Sequence, residues 1–200
     1  MATPLGHALA GYAISFFSKE DEQQVRRQLL PICVFMAVAP DLDIIPGLLQ
    51  GKPILYHSGI SHSFFVGLAL SLIIAFGCIF DFKAMQLKPQ KALFFWILGL
   101  AFAAYASHLV LDFFGPDGRE PYGIPLFWPL SSETFLSPIP LLLGARHVSN
   151  TSASFFEFIR GVLSLYNVAA IGLEIGLVVP LILLGKWWRG RQSESDHISV

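Results

Sequence analysis

Apolar runs separated by short charged segments dominate the pattern of the chain. The first two runs, residues 5–17 and 29–39, are short and are separated by the charged segment 18–28. At 1.5 Å per residue each run covers about 20 Å or less, below the roughly 30 Å of a bilayer core. The second run is predicted to end at Pro40, because the residue before a proline disfavours helix. We expect these two pieces to form a hairpin that enters the membrane only part of the way.

Three longer apolar runs are predicted to cross the membrane. Residues 62–80 and 92–111 contain no Asp, Glu, Lys or Arg, and residues 161–185 contain only Glu174 among these types. Runs of about 20 apolar residues match a membrane-spanning helix. Residues 115–160 are rich in Gly, Pro, Ser and aromatic residues and are predicted to lie outside the membrane. The pattern therefore predicts an all-α, helical integral membrane protein with about 3–5 membrane-inserted helices.

The composition supports lipid as the solvent of this chain. Hydrophobic residues make up 54% of its 200 residues and charged residues 14%, whereas a soluble domain carries about 25% charged residues. The mean hydropathy is +0.61. The net charge of −1 gives no indication of a nucleic-acid partner. We predict one membrane-embedded domain over residues 1–190, followed by a polar tail over 191–200.

The basic residues predict the orientation of the protein. If His62 and His108 lie at one membrane face, nine of the 13 Lys and Arg residues fall on the opposite side. These nine are Lys19, Arg26, Arg27, Lys83, Lys88, Lys91, Lys186, Arg189 and Arg191. Basic residues concentrate on the cytoplasmic side of a membrane. We therefore expect a multi-pass protein whose His and Asp residues face away from the cytoplasm.

His108 and Asp112 form the clearest pair of ionisable residues in the apolar runs. Ionisable groups at membrane depth are costly and indicate function. The two residues are four apart, so they project from one face of a helix and can ligate one metal ion. A hydrogen bond that only packs the end of the helix is the alternative, and the spacing leaves both open.

Asp41 and Asp43 form a second acidic pair, between the apolar flanks MAVAP and IIPGLL. Two carboxylates two residues apart point the same way if the segment is extended. Carboxylates are hard oxygen ligands, and one of them could bridge two ions. A helix-terminating turn is the alternative, but the apolar flanks favour the functional interpretation.

His57 and His62 lie on either side of Gly59, at the start of the run 62–80. The glycine lets the chain turn between the two imidazoles. The alternative is a structural histidine with Ser61 as the N-cap of the following helix, which is compatible with metal binding.

The remaining histidines carry less information. His7 lies alone in the first apolar run, and a single buried His is more often a core residue than a ligand. His147 and His197 lie in polar surroundings with no partner pattern.

In order and spacing, the set of His and Asp residues resembles the LexA-regulated, membrane-bound, metal-dependent hydrolases of bacteria. The shared elements are His7, Pro40 to Asp43, His57 to Ser63, and His108 with Asp112. The resemblance covers roughly residues 5–130 and includes the stretch from Gly123 to Pro129, which ends in Phe-Trp-Pro. The family has Arg and Thr where this chain has Ser58 and Ser61, so an anion-binding Arg is missing there. The resemblance implies a location in the bacterial cytoplasmic (inner) membrane.

A more distant similarity is to zinc-dependent phospholipase C and related single-strand nucleases. Those enzymes hold zinc through residues in the order His, Asp, His, His-xxx-Asp. This chain lacks their later His and His-xxx-Glu, so the similarity implies one or two ions rather than three. The implied metal ligands are His7, Asp41, Asp43, His62, His108 and Asp112.

Together these features predict a membrane-bound metal-dependent hydrolase with a metal site at the helix ends. A divalent ion, zinc in the first place, suits a mixed His and Asp shell, and manganese or iron also fit. The expected substrate is a phosphoester of a lipid or lipid-linked molecule, which is the chemistry that the more distant similarity implies. Asp41, Asp43 and His57 are the candidate catalytic residues, with the Asp that is not a ligand as the general base.

The segment 117–133 is predicted to cover this site. Tyr122 and Trp128 are expected to contact the substrate, because Trp and Tyr are favoured at a membrane interface. A plain interfacial anchor is the alternative for this segment. For the whole protein, a structural metal site or a cation transporter remains an alternative, although the chain shows no internal repeat of the transporter kind. The sequence does not indicate the oligomeric state.

Overall fold

The computed structural model of the protein describes residues 1–18, 23–52, 55–84, 90–118, 120–145 and 163–198. Its α-helices are α1 Pro4–Ser15, α2 Gln23–Val38, α3 Ile44–Leu49, α4 Phe64–Ala84, α5 Gln90–Phe113 and α6 Leu165–Ile198. Two 3₁₀ helices, η1 Ala39–Asp43 and η2 Ile60–His62, lie between them. The described residues contain no β-strand, which confirms the predicted all-α class.

Three helical segments are long and apolar enough to cross a membrane, as expected of a helical membrane protein. They cover Arg27–Leu49, Lys91–Phe113 and Leu165–Trp188. The second and third correspond to the runs that the sequence predicted as spans.

The first of these segments is longer than the sequence predicted. The apolar run was expected to end at Pro40, and α2 does end at Val38, but η1 and α3 continue the helical path to Leu49. Pro40 lies in the first turn of η1, where the missing N–H has no intrahelical partner to lose. The apolar part of α4, Phe64–Phe80, is shorter than these three segments and is not among the candidate spans, although the run 62–80 was predicted to span the membrane.

α5 lies at the centre of the bundle and packs against α1, α2 and α4. Glycines allow close approach: a Cβ on Gly67 would lie 2.4 Å from the Tyr105 ring, and one on Gly11 would lie 2.4 Å from the Cys33 carbonyl oxygen. Small residues at helix contacts are typical of packing inside membranes. The buried core around α5 includes Met36, Ala37, Ile97, Ala101 and Ala104.

One end of the bundle collects the ends of several helices. α2 leads into η1 there, η2 leads into α4, and η1 contacts both η2 and α5. The Tyr105 hydroxyl donates a hydrogen bond to the Ser61 carbonyl and so fixes η2 to α5. The N-cap of α4 is Ser63 rather than Ser61, because the Val66 N–H donates to Ser63 Oγ at 3.3 Å.

The segment that follows α5 is irregular but anchored to this end of the bundle. Residues 115–118 and 120–145 contain no helix, in agreement with their Gly and Pro content. Ile124 is buried in the core and pairs with Phe135 through N–H···O bonds of 3.1 and 2.9 Å. The Leu126 carbonyl accepts the Phe64 N–H at 3.0 Å, which ties the segment to the start of α4.

α6 runs beside α1 in the same direction. Thr3, at the start of α1, bonds Glu174. A Cβ on Gly185, further along α6, would lie 2.7 Å from Phe16 Cβ at the end of α1. α6 continues to Ile198, so most of the predicted polar tail is helical, since no Pro or Gly follows Gly190 to end the helix.

Candidate metal centre

Seven His and Asp side chains singled out by the sequence lie together at this end of the bundle. We call the fully buried ones the inner group: His7, His62, His108 and Asp112. We call the partly exposed ones the outer group: Asp41, Asp43 and His57. The seven residues come from α1, η1, the loop before η2, η2 itself and α5, so five segments of the chain build the site.

His108 and Asp112 share one face of the last turns of α5, and His108 Nε2 lies 3.2 Å from Asp112 Oδ2. The His108 Nδ1–H donates to the Ala37 carbonyl oxygen at 2.7 Å, since a carbonyl only accepts. This bond selects the tautomer and leaves the Nε2 lone pair directed at the centre of the inner group.

His62 is oriented toward the same point from η2. Its Nδ1 lies 3.2 Å from Asp43 Oδ2 and 3.1 Å from Ser61 Oγ. Ser61 Oγ donates its own hydrogen to Asp43 at 2.8 Å. The His62 Nε2 lies 3.4 Å from Asp112 Oδ2 and 3.2 Å from His108 Nε2. Two imidazole nitrogens and a carboxylate oxygen therefore face one point.

Asp41 approaches the same point from the exposed side. Its Oδ1 lies 3.5 Å from His108 Nε2 and 3.8 Å from His62 Nε2. Ligand atoms bound at about 2.0–2.1 Å to a tetrahedral zinc ion lie about 3.3–3.4 Å from one another. The separations of these donor atoms, from 3.2 to 3.8 Å, fit an ion of that size.

His7 adds a further donor. Its ring stacks on that of His108 with centroids 3.6 Å apart, and its Nε2 lies 3.4 Å from Asp112 Oδ1. Both ring nitrogens of His7 and the Asp112 Oδ2 are buried and have no hydrogen-bond partner among the described residues. Buried polar atoms are normally paired, so unpaired donor atoms around one point are the pattern of a metal-ligand set.

The outer group forms the side of the site that solvent reaches. The His57 Nδ1 lies 2.9 Å from Asp43 Oδ1 and 3.9 Å from Asp41 Oδ1. The side chains of Asp41, His57 and Asp43 are 18%, 15% and 11% exposed. Two overlapping sets of possible ligands share Asp41: His7, Asp41, His108 and Asp112, and Asp41, His57 and His62. Asp41 is therefore placed where a carboxylate could bridge two ions.

The condition under which Asp41 and Asp43 would point the same way, an extended segment, is not met. Both residues belong to the 3₁₀ helix η1, because the fixed φ of Pro40 suits a first helical turn. In a helix with three residues per turn, side chains two positions apart point about 120° away from each other. Asp41 consequently reaches His108, whereas Asp43 reaches His57.

The electrostatics of the site favour a positive charge at its centre. Within the described residues, the carboxylates of Asp41, Asp43 and Asp112 have only histidines as ion-pair partners. Burial lowers the pKa of His7, and the neighbouring His108 lowers it further. Burial also lowers the pKa of His62, but contacts with three carboxylates outweigh burial and raise the pKa well above its usual value. A proton on His62 or a metal ion can supply the charge that the carboxylates favour.

Tyr122 and Trp128 are not brought into contact with the inner or outer group. Tyr122 is 51% exposed and Trp128 is partly exposed. In the part of the chain that the structure describes, neither side chain has a hydrogen bond or ring contact with the His and Asp residues. Both belong to the anchored segment after α5, and their contact with a substrate stays a prediction.

Several supporting residues were not identified from the sequence. Glu174 is the lone ionisable residue of the last predicted span, but the sequence pattern indicates no role for it. Ser61, Tyr105 and Thr3 support the site through their hydroxyls, but the sequence pattern does not distinguish them from other hydroxyl residues. Ala37 acts through its backbone carbonyl, which no side-chain pattern reveals.

A family model described as YdjM inner membrane protein matches residues 1–190, a range that includes the inner and outer groups. No curated protein and no solved structure matches the chain. The match agrees with the membrane-protein part of the resemblance seen in the sequence. It does not extend to hydrolase activity or to phospholipase C.

Proposed function

We propose that this chain, which belongs to the YdjM inner membrane protein family, is a metal-dependent hydrolase of the inner membrane. The proposed substrate is a phosphoester of a lipid or lipid-linked molecule. The observation that carries the proposal is the convergence of the donor atoms of His62, His108, Asp112 and Asp41, 3.2 to 3.8 Å apart. These donors adjoin the partly exposed pair of His57 and Asp43.

The inner group and Asp41 are the residues that would hold the ion. Their mixed nitrogen and oxygen donors suit zinc. When bound, zinc polarises the scissile group and lowers the pKa of a water to about 7. One carboxylate oxygen of Asp112 faces His62 and His108, and the other faces His7. Asp112 therefore contacts all three histidines of the inner group.

His57 is placed to act as the general base. Asp43 Oδ1 accepts the His57 Nδ1–H at 2.9 Å, which leaves Nε2 unprotonated and able to take a proton from water. The Gly59 N–H and the Ser61 hydroxyl donate to Asp43 Oδ2 at 3.3 and 2.8 Å. Asp43 then orients the base, and Asp41 serves as a ligand.

The surroundings of the outer group suit an amphiphilic substrate. The segments that carry Asp41, Asp43 and His57 also present exposed apolar side chains. These side chains, 44% to 55% exposed, are Leu42, Ile45, Leu55, Tyr56 and Ile60. A polar head group can reach the outer group while its hydrocarbon chain lies against these residues.

The exposure of the outer group favours catalysis over a purely structural metal site. A structural zinc site encloses all of its ligands, whereas a catalytic site keeps one coordination position open. Asp41 and His57 provide such an opening, because both remain partly exposed.

Purified protein in detergent tests the proposal. We expect a divalent metal on elemental analysis, together with release of phosphate or head group from phospholipids or polyprenyl phosphates in mixed micelles. His108→Ala should remove both metal and turnover. Asp117→Asn is the control, because Asp117 belongs to neither group and its Oδ2 accepts the Gly123 N–H at 2.8 Å, a bond that the Asn oxygen can also accept. Bound metal without any turnover would refute the hydrolase, and no bound metal would refute the metal centre.

The site is proposed to face away from the cytoplasm, on the distribution of basic residues described above. Single cysteines at Gly118 and Gln86, introduced after removal of Cys33 and Cys78, test this orientation; Gln86 lies outside the described residues. An impermeant thiol reagent should label position 118 in intact cells and leave position 86 unlabelled. The opposite labelling pattern would place the site on the cytoplasmic side.

A further inference from the structure

Glu174 is a buried carboxylate in the last membrane span. It is 1% exposed and is the only Asp, Glu, Lys or Arg within residues 161–185. An ionisable group in such a helix is costly unless it has partners. Its partners therefore indicate what the residue does.

Both oxygens of Glu174 bond Thr3. The Thr3 N–H donates to Oε1 at 2.8 Å, and the Thr3 hydroxyl donates to Oε2. Thr3 is also the N-cap of α1, since its Oγ1 accepts the Gly6 N–H at 3.1 Å. The positive end of the helix dipole favours a carboxylate at this place. Glu174 thus fixes the first turn of α1 to α6.

The same turn of α1 contacts the inner group. The Ala2 N–H donates to Asp112 Oδ1 at 3.0 Å. The His7 N–H donates to the Thr3 carbonyl at 3.1 Å, and the His7 Nε2 lies 3.4 Å from the same Asp112 oxygen. The N–H groups of two successive residues therefore bond two carboxylates, one from α5 and one from α6.

The contact between α1 and Glu174 depends on Gly6. A Cβ on Gly6 would lie 2.2 Å from Glu174 Oε2, whereas a Cβ on Gly172 of α6 would meet no atom within 4 Å. Any larger residue at position 6 would have to displace the carboxylate from Thr3.

We propose that Glu174 is a positioning residue of the metal centre. It clamps the start of α1, so that His7 and the Ala2 N–H are set against Asp112, and it acts through Thr3 rather than on the metal. The inference rests on the metal centre of the proposed function but does not require hydrolysis.

Titration of the full-length protein in detergent with Co²⁺ tests the clamp, because the visible absorption of Co²⁺ reports its coordination. Glu174→Ala should weaken Co²⁺ binding about 10-fold, the lower end of the effect of losing a direct partner of a metal ligand, because Glu174 acts through Thr3; it should also alter the spectrum. Glu174→Gln retains an oxygen for the Thr3 N–H and should restore most of the affinity. Leu177→Ala is the matched control, because Leu177 lies on the same helix and is 49% exposed.

Two further pairs of variants test the clamp from the side of α1. Thr3→Val removes the hydroxyl and should weaken Co²⁺ binding, whereas Thr3→Ser should behave as wild type. Gly6→Ala should weaken binding, whereas Gly172→Ala should not. These variants keep the proposal testable if Glu174→Ala does not fold.

Wild-type affinity and spectrum in both Glu174→Ala and Thr3→Val would overturn the proposal. Equal losses of Co²⁺ affinity in Glu174→Ala, Glu174→Gln and Leu177→Ala would also overturn it, because they would indicate a general weakening of α6. A wild-type protein that binds Co²⁺ but hydrolyses nothing would refute the proposed function and leave the clamp standing. A wild-type protein that binds no Co²⁺ would refute both.

Discussion

The inner and outer groups differ in burial and in what holds them in place. The inner group lies on α1, η2 and α5 and is fully buried, and the Ala37 carbonyl orients His108. The outer group lies on η1 and the loop before η2, and hydrogen bonds from Gly59 and Ser61 hold its Asp43. The partial exposure of the outer group leaves it open to the surroundings without movement of a helix. In the proposed function, the inner group therefore retains the metal and the outer group reacts with the substrate.

The largest effect is expected from breaking the inner group with Asp112→Asn. Loss of one buried charge partner costs about 3–5 kcal/mol, which corresponds to about two to four orders of magnitude in metal affinity. Added metal at about 100 times its Kd should stabilise the wild type by about 2.7 kcal/mol and the variant hardly at all. Thermal unfolding with and without metal measures this, with Asp117→Asn as the control. A variant that retains its metal-dependent stabilisation would contradict the role of the inner group.

A smaller effect is expected from His57→Gln in the outer group. Removal of a general base lowers kcat by about 10²- to 10⁴-fold, whereas the metal content should stay unchanged. Turnover and elemental analysis of the same preparation measure both quantities. Gln50→Ala, a change in the exposed neighbour of Tyr56, is the control. Loss of one equivalent of metal would show instead that His57 ligates a second ion and belongs with the residues that hold metal.

The smallest effect is expected from Trp128→Ala, outside both groups. If Trp128 contacts a lipid substrate, kcat/KM for a long-chain substrate should fall about tenfold, equivalent to about 1.4 kcal/mol. A short-chain analogue and the metal content should be unaffected. Trp187→Ala is the control, since Trp187 is also a surface Trp, 52% exposed, but lies toward the C-terminal end of α6. Unchanged turnover of both substrates would make the segment a plain interfacial anchor.

The sequence predicted the helical membrane architecture and the residues of both groups because residue type and spacing carry that information. The charge-free run before His108 predicted a span, and the four-residue spacing to Asp112 predicted a shared helix face. Pro40 was expected to end the first apolar run, but the helical path continues to Leu49. A proline ends an α-helix at the preceding residue, but it can also begin the next helical turn.

The orientation of the site residues could not be predicted from the sequence, because it depends on contacts between distant segments. The tautomer of His108 is set by the backbone of Ala37, and the different directions of Asp41 and Asp43 follow from the 3₁₀ conformation of η1. Glu174 stood out as a lone charge in a span, but its partner Thr3 is an unremarkable polar residue near the first apolar run.

The first residues of the chain bond residues that are far away in the sequence, and this separation bears on biogenesis. Ala2 and Asp112 are 110 residues apart, and Thr3 and Glu174 are 171 apart. During synthesis the first turn of α1 is made long before the residues that it bonds. A nascent chain that stops before α6 already contains every proposed ligand but lacks the carboxylate that is proposed to position His7. If Glu174 acts as proposed, the metal centre would reach its full affinity only after α6 has been inserted.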